Sequence, residues 1–340
     1  MFKFEKEQTV HDFNGTKIGG QPGEYPRVLS ASIFYNKHET VIDDEKGVID
    51  KDRAEALWNR CLELSDITGN PHFCQIISET GEAFESYFQW FDSIDNKSAF
   101  LMDSSNPAAL VHACEYVTEV GLADRAIYNS INGSILPENI EALKKSDVDA
   151  AIVLAFNPGD PTVRGREQVL TEGGVAGQEK SMISIAEDCG INRIILDTAA
   201  TPLGLGSGGA YREILACKAI HGLPTGGAYH NMTVSWPWLK RWRKKTLYEQ
   251  YEGKDLLLEQ MSHHYFGGIE GIRQAAWSSP DIGCNIMAAT LGADLIMYGP
   301  IENCEAAATA IAFSDIVLAE AGKEFGLEPQ VDTHPLLHLV

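Results

Sequence analysis

Between Ala99 and Ser134 the chain reads AFLMDSSNPAAL, then an amphipathic stretch, then RAIYNSINGS, and this segment restricts the possible folds more than any other. Two apolar runs of strand length, rich in branched or aromatic residues, end at Asp103 and Asn129, polar residues with hydrogen-bonding capacity. The pattern is strand, helix, strand. The same grammar recurs at RIILDTA, ending in Asp197, and at TGGAYHN, ending in Asn231. In a parallel barrel the carboxyl ends of the strands face one shared pocket, where such folds keep their active sites. These four residues are therefore the candidate centre.

Taken in order, the chain repeats that unit. Residues 1–27 alternate around the turn signal Phe13-Asn14-Gly15 and predict a hairpin or lid that closes the barrel bottom. VLSASIFY is the first strand, with Tyr35 at its functional end. A helix over Lys51 to Asp66 ends at Gly69-Asn70-Pro71, and HFCQIIS follows, with Glu79 just past it. DVDAAIVLAF is continuously apolar, as befits a strand buried on both faces. Residues 159–180 read as a long polar loop able to fold over a pocket, before a helix over Ser181 to Gly190. TPLGLGSGGA opens the next helix, as a polar-ligand site or as a simple tight turn. Trp236 to about Gly268 is an insertion outside the repeat. After it come a helix through Ala289, the strand ADLIMYG, a closing helix over Glu305 to Ala321 and the tail DTHPLLHLV, expected to pack on another surface. About eight strands alternate with helices, so the expected architecture is α/β, a single (β/α)8 barrel over residues 1–340. An open doubly wound sheet is the runner-up, but no G-x-G-x-x-G follows the first strand.

Composition narrows the partners. With 48 acidic against 27 basic residues, the formal charge of −21 argues against nucleic acid. No apolar run is long enough to cross a bilayer and the start lacks a signal-peptide core, so the expected location is the cytoplasm, with no membrane insertion. The seven cysteines contain no C-x-x-C pair, and His263 and His264 are adjacent, which neither helix nor strand turns to one face; no disulfide framework and no metal site are expected. One basic patch interrupts the acidic surface: Lys240, Arg241, Arg243, Lys244 and Lys245, among Trp236, Trp238 and Trp242. It reads equally as a docking surface and as a solvated helix packed on its own aromatics.

Two carboxylates and two carboxamides in one pocket suit a nitrogen heterocycle. A carboxylate accepts two parallel N–H bonds from an amidine-like edge, such as N3 and the 2-amino group of a pterin, and an asparagine matches a mixed donor and acceptor edge. Each such residue can instead be a helix N-cap. A general acid and base pair, as in glycoside hydrolases, or divalent-metal ligation are further alternatives. No neighbourhood lowers a thiol pKa, so a catalytic cysteine has no support.

TKIGGQPGEYP, DITGNPH, DRAIYNSIN, FNPGDPTV, DTAATPLGLGSG, HNMTVSWPWL and above all DLIMYGPIEN resemble the MtrH family, a component of tetrahydromethanopterin S-methyltransferase, over nearly the whole chain. That family belongs with the pterin-binding methyltransferases on TIM barrels. It moves methyl groups between a corrinoid protein and a reduced pterin, and it includes bacterial relatives acting on tetrahydrofolate in glycine betaine demethylation. The resemblance is read as nearest that bacterial branch. It implies methyl transfer from a methyl-Co(III) corrinoid protein to N5 of tetrahydrofolate; the alternative is the same transfer with tetrahydromethanopterin, in a larger complex. Carried over, it implies that Asp197 grips N3 and the 2-amino group, that Asp103 and Asn129 face N1 and N8, and that Asn231 or its neighbour His230 lies by N5. Asn231 and Asp197 are the expected catalytic pair, and Glu79 joins the pterin contacts. The family also implies cobalamin carried on a separate protein, since no D-x-H-x-x-G is present, and a homodimer. Two other classes remain: a non-catalytic pterin-anchoring subunit, and an enzyme like dihydropteroate synthase. The last ranks lowest, because TGGAYHN and MYGPIEN lack the Lys and Arg of a phosphate site.

Overall fold

The structure, a computed structural model, describes residues 2–243 and 269–340. Eight parallel strands close on themselves in chain order: β3 (Val28–Ile33), β6 (His72–Ile77), β7 (Phe100–Asp103), β8 (Ala126–Ile131), β9 (Ala150–Leu154), β10 (Arg193–Asp197), β11 (Thr225–Gly227) and β12 (Leu295–Pro300), which pairs back to β3. This is the TIM barrel that the alternation predicts. The remaining strands lie outside it, as the antiparallel pairs β1 (Val10–Phe13) with β2 (Thr16–Gly19) and β4 (Val41–Asp43) with β5 (Val48–Ile49).

Period-two alternation sorts each barrel strand between two apolar clusters. Leu29, Ala31, Ile33, Cys74, Ile76, Phe100, Met102, Tyr128, Val153 and Leu196 pack outward against the helix layer. Val28, Phe73, Leu101, Ile127, Ile152, Ile195 and Leu295 fill the barrel interior at its amino-terminal end. Both faces are buried, which is why the strands read as continuous apolar runs. Two residues further along the inward faces of four of these strands lie Gln75, Asp103, Asn129 and Asp197. The same alternation that packs the lower barrel therefore turns the polar strand ends into its upper mouth.

Helix boundaries follow local signals. Lys51–Thr68 starts behind Asp50, whose carboxylate accepts from Arg53 N, and ends at Gly69 in the left-handed conformation. Met182–Asp188 is capped by Ser181, whose hydroxyl accepts from Ser184 N at 3.2 Å. Residues 159–180 differ from expectation. They hold a helix, Val163–Glu167, that continues as a π-helical turn, Gln168–Glu172. Thr162 supplies the cap, and Arg166, Val169 and Leu170 supply a buried face at helical spacing that the surrounding glycines and charges obscure in the sequence. TGGAYHN also differs. The strand stops at Gly227, and His230–Val234 is a short helix, so Asn231 is not a strand-end residue.

The β1–β2 hairpin seals the lower end. Phe13 is 2% exposed, meets Phe73 edge-on at 5.3 Å, and carries the Arg193 guanidinium over its ring at 4.3 Å. Arg193 Nη1 also donates to the Asp12 carbonyl, and His11 Nε2 lies 2.9 Å from the Ile194 carbonyl. At the other terminus, buried His334 and Leu336 accompany the short helix Pro335–His338, which packs on the closing helix Cys304–Gly322. Replacing Phe13 by alanine removes the ring and leaves a cavity. The expected outcome is a loss of about 3 kcal/mol in urea unfolding; a loss below about 1 kcal/mol would mean that the hairpin does not close the core.

Candidate active site at the barrel mouth

Asp103 and Asn129 stand opposite each other in the β7–β8 register, both partly covered. A bulge between Asn129 and Ile131 re-aims the end of β8, a device common next to active sites. Two strands further round, Asp197 ends β10 and is 7% exposed. Its Oδ1 accepts from Ala199 N at 2.8 Å, and β11 can pass so close only because it carries glycine: a Cβ on Gly227 would lie 3.1 Å from that oxygen. Behind the mouth, Ser32 Oγ donates to Gln75 Oε1 at 2.7 Å and Gln75 Nε2 donates to Asp103 Oδ2. Ser32 and Gln75, which extend Asp103 into a polar string across β3, β6 and β7, lie outside the expected set. Its signal in the sequence is a glutamine within an otherwise apolar strand.

The carboxyl groups are held in an environment that resists ionisation. Burial pushes Asp197 up to about 7, and the nearby Asp103 adds to the shift against the opposing pull of the Ala199 amide and Arg166. Burial pushes Asp103 up to about 6, with the Gln75 amide opposing and Glu79 reinforcing. Each therefore gains or loses its charge near neutral pH, as groups at functional sites often do. Glu79 itself is exposed, and both its oxygens accept from Ser105 Oγ at 2.9 Å, so it clamps the loop after β7 as well as biasing Asp103.

Arg166 is the second addition to the expected set. Fully covered, it donates from Nε to the Thr198 carbonyl at 3.0 Å and from Nη2 to the Ala199 carbonyl at 3.1 Å. It thereby fixes the turn whose amide holds Asp197. The arginine reaches from the segment expected to be a loop, which hid its role.

The other side of the mouth is a cavity of about 730 Å³ whose lining includes Tyr35, His230, Lys240, Trp277, Asp281 and Glu302. His230 Nδ1 lies 3.0 Å from the Met297 carbonyl. Only a donated proton satisfies that contact, so Nε2 is left as an acceptor, and burial holds the ring below its usual pKa and hence neutral. Gly299 leaves room for the ring, since a Cβ there would meet it at 2.7 Å. Asn231, by contrast, is exposed and absent from this lining. Tyr35 and His38 converge on Glu302, at 3.4 and 3.0 Å. Of the basic patch, Lys240 and Arg241 are exposed on the helix Pro237–Arg243, and Trp236 and Trp238 pack at 5.0 Å. Lys244, Lys245, His263 and His264 lie outside the described residues.

The geometry now meets known proteins. The profile of the family described as tetrahydromethanopterin S-methyltransferase MtrH subunit matches residues 6–330. The MtrH protein of that enzyme from Methanosarcina acetivorans is 45% identical over 340 residues, covering all of both chains. Its counterpart from Methanopyrus kandleri is 44% identical over 97% of each. The chain belongs to the MtrH family. It is thus a member of a methyltransferase family, as the quoted motifs implied. Among solved structures, dihydropteroate synthase from Vibrio fischeri aligns with a TM-score of 0.57 at 14% identity, covering 91% of this chain and 98% of that one. The Xanthomonas albilineans synthase in complex with 7,8-dihydropteroate aligns at 0.52 and 17%, with coverage of 91% and 98%. At such identities the likeness concerns the barrel fold alone.

A carboxyl whose folded pKa lies above its unfolded value carries an opposition to folding that is absent below the unfolded pKa of about 4 and grows as the pH rises through the window up to about 7. Asp197→Asn removes that opposition. The gain in melting temperature over the parent chain should be larger at pH 8 than at about pH 3.5 by at least about 2 °C; equal shifts at both values would show that Asp197 does not titrate in this range.

Proposed function

We propose that this chain transfers a methyl group between the cobalt of a corrinoid protein and N5 of a tetrahydropterin, tetrahydromethanopterin being the pterin that its relatives' names favour. The observation that carries the reading is the paired carboxyls: one buried and one partly covered acid at one barrel mouth, both raised in pKa, beside a carboxamide, in a chain of the MtrH family. Ionised Asp197 offers two acceptor oxygens to N3–H and the 2-amino group, a bidentate match stronger than two neutral hydrogen bonds. Those donors replace the water that the buried site denies the carboxylate. Asp103 and Asn129 supply acceptor and donor to the N1 and N8 edge.

In the direction from cobalt to pterin, the N5 lone pair attacks the methyl carbon as the carbon–cobalt bond breaks, its electron pair stays on Co(I), and the N5 proton leaves. The protein's part is alignment and a place for that proton. Of the two candidates for N5, His230 is the better placed: neutral, lining the cavity, with Nε2 turned away from the Met297 contact and able to accept. Asn231, exposed on its short helix, is dropped from that role. The relatives are named as subunits, which supports assembly with further chains, one of them the corrinoid carrier, over a homodimer acting alone. Among the described residues no helix is long and apolar enough to cross a membrane.

Calorimetric titration with tetrahydromethanopterin and, separately, tetrahydrofolate, followed by methylcobalamin turnover, tests the reading. The expected result is saturable binding of tetrahydromethanopterin that weakens roughly tenfold per pH unit below about 7, as Asp197 takes up a proton. Asp197→Asn should remove the dependence between about pH 6 and 7, leaving that of Asp103 below about 6, and weaken binding on the order of 10- to 100-fold. Binding of tetrahydrofolate alone, with turnover, would establish the bacterial reading instead. Binding without turnover by the isolated chain would make it an anchoring subunit, and binding of neither pterin would overturn the site.

A further inference from the structure

Below the turn that holds Asp197, between the helix Ser207–Ile220 and the segment Val163–Glu172, three potential metal ligands meet with their donor atoms within 4.8 Å of one another: Glu167, Glu213 and Cys217. Glu213 and Cys217 are one helical turn apart, so they share a face, and both are 0% exposed. The Cys217 sulfur lies 3.7 Å from Glu213 Oε1, close to the edge of a tetrahedron with zinc–sulfur and zinc–oxygen bonds of roughly 2.3 and 2.0 Å. His221, a further turn along, places Nε2 2.9 Å from Glu167 Oε2 and so orients that carboxylate from behind, as partners of metal ligands do.

Unmet valences mark the cluster. Glu213 Oε2 and Glu167 Oε1 are buried with no N–H or hydroxyl donor, the two carboxyls lying within hydrogen-bond reach of each other, and Arg166 Nη1 beside them has no acceptor. Two carboxyl oxygens pressed together beside a thiol, all three out of water, call for a cation between them, a proton or a metal ion. Charge says what. Two carboxylates and a thiolate bring three negative charges; a divalent ion and the Arg166 guanidinium bring three positive ones. Thiolate together with carboxylate suits zinc rather than magnesium or calcium. The sequence carries little warning, since E-x3-C-x3-H on one helix lacks a second cysteine and the remaining carboxylate comes from a distant segment.

We propose that Glu167, Glu213 and Cys217 bind one zinc ion that ties the helix Ser207–Ile220 to the Val163–Glu172 segment and so steadies Arg166. Binding displaces the thiol proton, and any proton held between the two carboxyls, to solvent. The role is structural. The ion stands behind the pterin pocket, and no step of the methyl transfer passes through it.

The test uses the untagged full chain. Metal analysis after exhaustive dialysis should find about one zinc per chain, and chelation should lower the melting temperature reversibly, with zinc restoring it. Cobalt(II) substitution should produce a thiolate-to-cobalt absorption band that Cys217→Ser abolishes, with zinc affinity falling at least about 100-fold in that variant. Glu213→Gln should lower zinc content likewise. A chain that holds no zinc and gives no thiolate band, with Glu213→Gln melting as the parent does, would mean that a proton shared between Glu167 and Glu213 fills the gap. Zinc retained equally by Cys217→Ser would place the ion elsewhere. Either result overturns the proposal.

Discussion

Keeping Asp197 as a carboxyl that can still ionise at the end of a buried strand is the constraint on which the site depends. A carboxylate removed from water is strongly disfavoured unless fixed dipoles or charges replace the water. Here the replacement is small: one amide, from Ala199, and an arginine held at one remove. Arg166 directs Nε and Nη2 to the carbonyls of Thr198 and Ala199 rather than to the carboxylate. Had it paired directly with Asp197, the acid would be ionised and already satisfied, and an incoming amidine edge would have to compete for it. By gripping the backbone, Arg166 fixes the turn and leaves acceptor capacity on the carboxyl.

The rest of the barrel makes that arrangement sustainable. The lower interior is packed by Val28, Phe73, Leu101, Ile127, Ile152, Ile195 and Leu295, and the hairpin covers it with Phe13 and Ile18. Water has no route to the strand ends from below, so the polar layer at Gln75, Asp103, Asn129 and Asp197 meets solvent from one side only. The dryness that raises the two acids and the rigidity that would position a flat heterocycle thus have the same origin, a plug of apolar side chains on the inward face of the same strands.

Much of this was legible in the sequence because the inward positions obey a strict rule. Period two places Leu101 with Asp103, Ile127 with Asn129 and Ile195 with Asp197, and a polar residue at the end of such a series has one place to go. What failed were positions not governed by that period. TGGAYHN looks like a strand with a polar end, yet β11 has only three residues before the chain turns into the helix carrying both His230 and Asn231, and of the two it is His230 that lines the cavity. Arg166 sits among glycines and charges that suggest a loop, and its role comes entirely from carbonyls some thirty residues on, which no local pattern announces. Gln75 was visible but unread, because a single amide in an apolar strand gains meaning only once Ser32 and Asp103 flank it.

The mouth is asymmetric, and the asymmetry bears on how two large substrates can meet there. Acceptors gather on the β7, β8 and β10 side, whereas the cavity around His230, Tyr35 and Glu302 opens over β3 and β12. A pterin gripped by its pyrimidine edge at Asp197 and Asp103 would direct its opposite, reacting edge toward that cavity. Methyl transfer by direct displacement needs the donor in line with N5, so on the proposed reading the methylated cobalt would approach from the cavity side, whose lining includes Lys240 and Trp277. On the same reading the acid-lined wall would hold the pterin and the cavity wall would admit its partner, with the neutral ring of His230 on the side where the N5 proton would leave.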